Sequence, residues 1–324
     1  MATMKKVAEH AGVSVATVSR YINNSGYVGK ETKVKIQKVI DKLNYSPNEV
    51  ARSLYQKKSK FIGLLLPDIT NPFFTMLSKG VEDQLNESEY GLILANVDND
   101  VEKEKEYLTN FKNNNIAGII SAIEHKTDVY KDLPNVSVDR PSESLNNSVS
   151  GDDVQGGKIA AEEIMKRSPN EVFILNSTEH YVKSELRLEG MLSVIEQHET
   201  LYHIYDVPSY KPEEVEGLID IILNEYPKVD SVIAANDMQA MSLLKEALEK
   251  GLSIPEDLQI IGYDNITFSE LTSPGLSTIA QPIYEIGKVG AELLLRMIHQ
   301  EKIAKKNIKL PVQFLDRGTL REED

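Results

Sequence analysis

Polar side chains that can bind hydroxyl groups recur at the ends of short apolar runs in residues 61–324. Two of these runs are FIGLLLPD (61–68) and LQIIGYD (258–264), and a pair of phenylalanines follows the first. Carboxylates, amides and guanidinium groups donate and accept hydrogen bonds as hydroxyls require, and aromatic rings cover the C–H faces of a sugar. The residues near such ends are Asn71, Phe73, Phe74, Asp139, Arg140, Asn236, Asp264 and Gln281, and Arg187, inside a predicted helix in SELRLEG, joins them. Their types predict a binding site for a polyol.

Each of these residues also has a purely structural interpretation. A lone Asp or Asn after a strand more often caps the next helix than contacts a ligand. A phenylalanine pair is usually part of a core, and Asp139 and Arg140 could form a structural ion pair. The polyol site is favoured because the carboxyl ends of parallel strands meet at one edge, where open α/β sheets bind their ligands.

A second group of side chains, near the N-terminus, is suited to the edges of DNA bases. Ser14 can cap a helix over VATVSRYIN (15–23). Val18, Tyr21 and Ile22 recur at i, i+3 and i+4, so they should pack inward. Small and hydrogen-bonding side chains near a helix N-terminus fit base edges in the major groove, and arginine suits guanine or phosphate. The residues of this helix predicted to contact DNA are Ser14, Val15, Ala16, Thr17, Arg20 and Asn23.

The charge distribution supports a nucleic-acid partner for the same segment. The 324-residue chain has a net charge of −14, but residues 1–60 contain twelve Lys or Arg and four Asp or Glu. These residues therefore carry +8, and the remainder carries −22. A basic segment is attracted to the phosphates of a nucleic acid, whereas an acidic body is repelled by them. The alternatives are a basic tail without a specific partner and a three-helix module for protein contacts.

Sequence signals for catalysis are absent. The chain has no cysteine and no P-loop, G-x-S-x-G, H-E-x-x-H or G-x-G-x-x-G motif. Its six histidines match no metal-ligand spacing. We therefore expect no catalytic residue, metal or cofactor, and an enzyme is the least favoured class. Because no apolar run reaches about 18 residues and no signal peptide precedes the first helix, we expect a cytoplasmic protein without a membrane segment.

The periodicity of the chain predicts a small all-α domain over 1–58, with helices at 4–11, 15–23 and 30–43. Residues 61–324 alternate strands with helices, which predicts an α/β body of two similar lobes with parallel sheets. We place lobe 1 at about 61–160 and 291–318, and lobe 2 at about 161–290. The predicted strands are 61–68, 90–98, 117–122, 135–140, 171–176, 202–208, 231–236, 258–264, 276–281 and 308–315. The predicted helices are 72–88, 102–115, 153–167, 181–198, 211–225, 237–250 and 283–300.

A short helix is predicted over about 47–55. Ser46 and Glu49 form a capping box, and Pro47 falls at the first helical position. Two helical turns are marginal alone in water, so this segment should fold only on a partner. Arg52 could enter a minor groove there, with Leu54 as a wedge between base steps.

The segments AGVSVATVSRYIN and YSPNEVARSL together resemble the LacI/GalR family of bacterial repressors, and the resemblance covers nearly the whole chain. It implies that the helix from Ser14 reads an operator half-site. It also implies that the segment around Ala51, Arg52 and Leu54 is a hinge that orders on DNA, with Leu54 at the operator centre. Tyr55 departs from the family, which often has lysine at that position.

The body resembles periplasmic sugar-binding proteins, so the implied fold is periplasmic-binding-protein-like. The nine polyol-site residues fall where ribose-type binding proteins hold their pentose. The resemblance implies that the aromatic pair sandwiches the sugar ring and that Arg140 and Arg187 grip its hydroxyls. The resemblance also implies pocket residues from the second strand of lobe 2. No residue there is a clear match, and Tyr210 is only a candidate for that position.

Together these features predict a sugar-controlled repressor that binds double-stranded DNA at a palindromic operator as a homodimer. No heptad tail follows the last strand, so a coiled-coil tetramer is not expected. Ribose or a similar monosaccharide is the first choice of effector, acting as an inducer. The alternatives are a disaccharide such as sucrose, a corepressor such as a purine, and control by a phosphoprotein partner, as in catabolite regulators.

Overall fold

The computed structural model describes residues 3–23, 25–45, 59–123, 133–140, 147–178, 182–303 and 306–323. The chain forms two compact units, Met1–Lys60, here called the head, and Phe61–Asp324, here called the body. Within these ranges, no helix combines the length and the apolar character needed to cross a membrane.

The head contains the three predicted helices, α1 (Met4–Ala11), α2 (Val15–Asn23) and α3 (Lys30–Leu43). Gly12 adopts a left-handed conformation (φ 66°) that ends α1, as its lack of a Cβ allows. The Ser14 hydroxyl accepts from the backbone N–H of Thr17 at 3.1 Å and so caps α2, as predicted. The small core of the head consists of Val7, Ala8, Val18, Val28 and Ile36.

The first sheet of the body has six strands in the order β11-β5-β4-β3-β1-β2, all parallel. These strands are β1 (Phe61–Leu66), β2 (Gly91–Asn96), β3 (Gly118–Ser121), β4 (Asn135–Val138), β5 (Ser148–Gly151) and β11 (Asn307–Leu310). Its helices are α4 (Pro72–Glu87), α5 (Val101–Asn113) and α10 (Ile283–Ile298). We call this sheet and its helices lobe 1.

The second sheet has the order β12-β10-β9-β8-β6-β7, parallel except that β12 runs antiparallel to β10. Its strands are β6 (Glu171–Ser177), β7 (Leu201–Val207), β8 (Val229–Ile233), β9 (Gln259–Asp264), β10 (Ser277–Ala280) and β12 (Gln313–Leu315). Its helices are α6 (Asp153–Met165), α7 (Val182–Ile195), α8 (Leu218–Glu225) and α9 (Asp237–Glu249). This is lobe 2, and the predicted two-lobe architecture is confirmed.

The chain crosses between the lobes three times, between β5 and α6, between β10 and α10, and between β11 and β12. These crossings differ from the boundaries that we placed near residues 160, 291 and 318. All of α6 packs against α7, β10 and β12, whereas all of α10 packs against α4 and the first sheet. The alternation of strands and helices identifies an element, but not the sheet that its apolar stripe covers.

Three local features also differ from the predicted elements. β5 was not predicted, because its sequence, SVSG, is short and weakly apolar. The single strand predicted at 308–315 is two strands in different sheets, separated at Pro311. The helix predicted at 211–225 is a 3₁₀ turn (Pro212–Val215) followed by α8, because Gly217 at φ 75° breaks it.

Candidate functional site

Two carboxylates of the cleft between the lobes lie on backbone that is unusual for residues with a side chain. Asp139, after β4 in lobe 1, has φ 64°, and Asp264, at the end of β9 in lobe 2, has φ 113°. Such conformations cost about 1–3 kcal/mol and persist where the surrounding structure enforces them. The Asp139 N–H donates to Val149 O at 2.9 Å, which ties the turn to β5. Both side chains are buried at the facing ends of the two sheets.

The two predicted asparagines begin helices whose N-termini face the cleft. The Asn71 side chain accepts from Phe73 N at 3.0 Å and caps α4. The Asn236 Oδ1 accepts from Gln239 N at 2.9 Å and caps α9, while its Nδ2 donates to Tyr210 O at 3.0 Å. Both asparagines therefore have the capping role that is common after a strand, and both also line the cleft.

Arg187 is positioned by close packing of α6 against α7. A Cβ on Gly157 would lie 2.0 Å from Arg187 O, so only glycine allows this approach. The Arg187 Nε donates to Asp153 Oδ1 at 2.8 Å, and Nη1 donates to Ala235 O at 3.0 Å. The guanidinium stacks on Tyr263, 3.6 Å from the ring centroid. Three contacts thus fix the plane of the guanidinium, while one edge faces Asp264, whose Oδ1 lies 3.9 Å from Nη2.

Eight of the nine residues predicted for the polyol site line one inner cavity between the lobes. They are Asn71, Phe73, Phe74, Asp139, Arg140, Arg187, Asn236 and Asp264. The ninth, Gln281, lies in the second crossing, where its Nε2 donates to Asp264 Oδ1 at 2.7 Å. It therefore supports the site from behind. Convergence at strand ends, the feature that favoured a binding site, is present in the structure.

The same cavity includes Lys183 and Tyr210. Lys183 stands one helical turn before Arg187, so i, i+4 spacing was the signal that could have found it. Tyr210, named earlier only as a candidate, follows β7, and its hydroxyl is bonded to Ser184 Oγ at 2.6 Å. Its loop position carries no periodicity, which explains why the sequence did not place it.

The phenylalanine pair is not arranged as two plates around a ligand. The rings of Phe73 and Phe74 are 5.1 Å apart and inclined at 77°, because adjacent residues of a helix point in different directions. Each ring instead faces a cation, with Arg140 5.5 Å from the Phe74 centroid and Lys183 5.1 Å from that of Phe73. A sandwich would need one ring from each lobe, and Tyr210 is the aromatic side chain that lobe 2 offers.

Burial dominates the electrostatics of the site. It raises the pKa of Asp264 to about 6, against the lowering effects of Arg187 and Lys183. Burial, aided by the charge of Asp264, also raises the pKa of Asp237 to about 7. Asp237 lies behind the cavity, where it accepts from Thr278 Oγ1 at 2.6 Å and from Ile266 N at 2.9 Å.

Arg187 Nη2 and Gln281 Oε1 are among the buried polar atoms that have no hydrogen-bond partner among the described residues. The first is a donor that lies 3.9 Å from Asp264 Oδ1, and the second is an acceptor on a side chain whose Nε2 bonds that same oxygen. An unsatisfied buried donor or acceptor costs about 1–3 kcal/mol, so such atoms mark positions that a polar ligand or water would fill.

Outside the inner cavity, the cleft widens into a vestibule of about 540 Å³. Its walls include Asp68 and Asp98 of lobe 1 and Lys211 and Glu213 of lobe 2. No group of three His, Asp or Glu side chains with a metal-binding arrangement occurs among the described residues. The site as a whole combines carboxylates, amides and guanidinium groups with aromatic rings.

In the head, the structure places the predicted base-reading residues along one outer side of α2. Ser14, Val15, Ala16 and Arg20 are exposed, and Thr17 and Asn23 are half-buried. Val15, an apolar residue, is 45% exposed. The other predicted DNA contacts, Ala51, Arg52 and Leu54, lie outside the described residues together with the predicted helix at 47–55.

Both the head and the body are similar to domains of known proteins. Residues 3–48 match the model of bacterial regulatory proteins of the lacI family, and residues 169–320 match a periplasmic binding protein-like domain. The ribose operon repressor of Bacillus subtilis (strain 168) is 45% identical over 327 residues, which cover 100% of both chains. The chain belongs to the LacI family. Its head is therefore the DNA-binding domain of that family, and its body is the periplasmic-binding-protein-like domain.

Two further relatives bear on the effector. A LacI family transcriptional regulator from Enterococcus faecium, solved with bound ribose, is 31% identical with a TM-score of 0.74. The match covers 80% of this chain and 98% of that one. Catabolite control protein A of Staphylococcus aureus (strain Mu50) is 35% identical over 332 residues, covering 98% of this chain and 99% of that one. The ribose operon repressor is thus more similar to this LacI family member than the catabolite regulator is.

Proposed function

We propose that this chain is a transcriptional repressor that binds a palindromic operator as a homodimer and is released from it by ribose. The head reads one half-site through Ser14, Val15, Ala16, Thr17, Arg20 and Asn23, and Ala51, Arg52 and Leu54 act at the operator centre. As a DNA-binding regulator it works in the cytoplasm, and it is not an enzyme. Its similarity to a ribose operon repressor over its whole length supports this assignment.

The observation that carries the effector assignment is the unpartnered buried donor Arg187 Nη2, on a side chain that lines the inner cavity. A sugar hydroxyl can accept from this atom, while Asp264 and Asp139 accept from other hydroxyls. Buried polar groups that a ligand satisfies discriminate strongly against analogues lacking the matching hydroxyl. These groups therefore favour a sugar with several free hydroxyls.

The charge balance of the site favours an uncharged ligand. Three cations, Arg140, Lys183 and Arg187, stand with three carboxylates, Asp139, Asp153 and Asp264. A ligand that carries its own charge would leave a net charge buried in the cleft, which is costly. Free ribose fits this balance better than a sugar phosphate.

A disaccharide such as sucrose is the second candidate effector, and the vestibule is the observation that favours it. A second sugar ring attached to one in the inner site would extend into this space of about 540 Å³. Control by a phosphoprotein partner has less support, because a regulator controlled in that way need not keep a complete polyol site. Corepression by a purine has no support from the residues of the cleft, which are arranged for hydroxyls.

Thermal unfolding of the full-length protein tests the effector assignment. D-ribose, ribose 5-phosphate, sucrose and hypoxanthine are each added in excess. Ribose at 100 times its Kd should stabilise the body by about 2.7 kcal/mol, which raises its Tm by about 5 °C. No shift with ribose, together with a shift by another of these compounds, would replace ribose as the effector.

A further inference from the structure

The Lys183 side chain crosses the cleft from one lobe to the other. It belongs to α7 of lobe 2, and its ammonium donates to Oδ1 of Asp139 in lobe 1. The two side chains are only 7% and 3% exposed. The same ammonium lies 5.1 Å from the centroid of the Phe73 ring, also in lobe 1. Lys183 therefore makes two buried contacts across the cleft.

We propose that Lys183 is a positioning residue of the sugar site, which holds the Asp139 carboxylate toward the ligand and ties the lobes together in the ligand-binding arrangement. This inference rests on the proposed function, because the orientation of Asp139 concerns a ligand only if the cleft binds a sugar.

The two oxygens of Asp139 have different surroundings. Oδ1 accepts from Lys183, whereas Oδ2 lies 3.9 Å from Arg140 Nε, beyond hydrogen-bond distance. The left-handed backbone and the bond to Val149 O fix the Cα of Asp139, and Lys183 then fixes the side-chain torsion. Oδ2 is thus directed to a ligand hydroxyl.

Lys183 is also needed for the charge balance of the cavity. Without it, Arg140 and Arg187 would remain with three carboxylates, and one buried carboxylate would lack its partner. Removing one member of a buried ion pair is strongly unfavourable, because the other charge stays desolvated. Opening of the lobes would hydrate that carboxylate, so loss of Lys183 should shift the body away from the closed arrangement.

A pH profile separates this role from simple packing. The ammonium of Lys183 lowers the pKa of Asp264, so its removal should move the titration of Asp264 to higher pH. If the ionised Asp264 binds sugar hydroxyls, the affinity for ribose should fall as the pH is lowered through the pKa of Asp264. In the variant, this fall should begin at a higher pH than in the wild type. The groups facing Asp264 are Lys183 and Arg187 of α7, Tyr263 of β9, Gln281 of the second crossing, Asp139 of lobe 1 and Asp237 of α9.

Calorimetric titration of the full-length protein with D-ribose from pH 5 to 8 provides the test. Lys183→Met keeps the aliphatic stem but removes the charge, so the affinity for ribose at pH 8 should fall roughly 30-fold or more. As the pH is lowered, the affinity of Lys183→Met for ribose should begin to fall at a higher pH than that of the wild type. Lys183→Arg, which keeps the charge, should restore most of the affinity. Lys245→Met, at a lysine that is 76% exposed on α9, is the matched control and should match the wild type.

A double variant keeps the test valid if Lys183→Met folds poorly. Asp139→Asn with Lys183→Met removes both charges, so neither is left buried without a partner. The double variant should bind ribose no more weakly than Asp139→Asn alone, since the lysine acts through that carboxylate.

The outcomes of this test distinguish the two proposals. If the wild type does not bind ribose, the effector assignment fails. If the wild type binds ribose, but Lys183→Met has the same affinity and pH profile, the positioning role fails. Independent, additive losses from the two single substitutions would likewise overturn it.

Discussion

Asp237 should make the body less stable as the pH rises, and Asp237→Asn should remove this effect. Its carboxyl is fully buried, and burial raises its pKa from 3.8 to about 7. Because the unfolded carboxyl titrates near 3.8, folding takes up a proton between about pH 4 and 7. The stability contributed by this group is therefore complete below pH 4, falls as the pH rises to 7, and is constant above that.

The size of the effect follows from the two pH units between 5 and 7. At 1.36 kcal/mol per unit, the wild type should lose about 3 kcal/mol relative to the variant. A Tm change of about 2 °C per kcal/mol applies to a domain of this size, so the shift is about 5 °C. An asparagine can accept from Ile266 N and donate to Thr278 Oγ1, as a protonated Asp237 would.

Differential scanning calorimetry of the full-length protein at pH 5 and pH 8 measures this difference. The Tm of Asp237→Asn minus that of the wild type should be about 5 °C larger at pH 8. Asp220→Asn, at a carboxylate that is 60% exposed, serves as the control and should show no such change. An equal Tm difference at both pH values would refute the argument that Asp237 is a desolvated acid.

Three further predictions concern the two binding sites. Arg187→Lys keeps a charge beside Asp153 but loses the planar fork, so ribose should bind at least about 10-fold more weakly, as calorimetry would measure, while operator binding is retained. Normal ribose affinity would remove Arg187 from the site. Leu54→Ala should weaken binding to a selected operator much more than binding to random DNA, and equal losses would disprove the wedge. The logarithm of the operator affinity should fall linearly and steeply with that of the salt concentration, and a flat dependence would contradict a basic head on phosphates.

The sequence predicted most elements of the fold, because strand and helix periodicities are strong in this chain. The head helices, the Ser14 cap and most strands of both sheets lie where the patterns indicated. The assignments of α6 and α10 to lobes were missed, because contacts between distant segments decide which sheet a helix covers. β5 was missed because four small residues give almost no pattern.

The residues of the candidate site that lie at strand ends could be predicted from the sequence. Asp139 and Asp264 directly follow apolar runs, so their convergence could be anticipated. Lys183 was missed because a charged residue on a helix is usually solvent-exposed, whereas this one is buried and contacts Asp139 and Phe73 of the opposite lobe. The implied sandwich by Phe73 and Phe74 overlooked that adjacent residues of the predicted helix at 72–88 point in different directions.

The central claim is that ribose in the cleft controls the affinity of the head for DNA. It is tested most directly by fluorescence anisotropy of full-length protein on an operator obtained by in vitro selection, with and without saturating D-ribose. We predict that ribose weakens the operator complex by roughly 5- to 150-fold, the usual range for coupled sites. An operator affinity that is unchanged or increased by ribose, in a protein that calorimetry shows to bind it, would contradict the account.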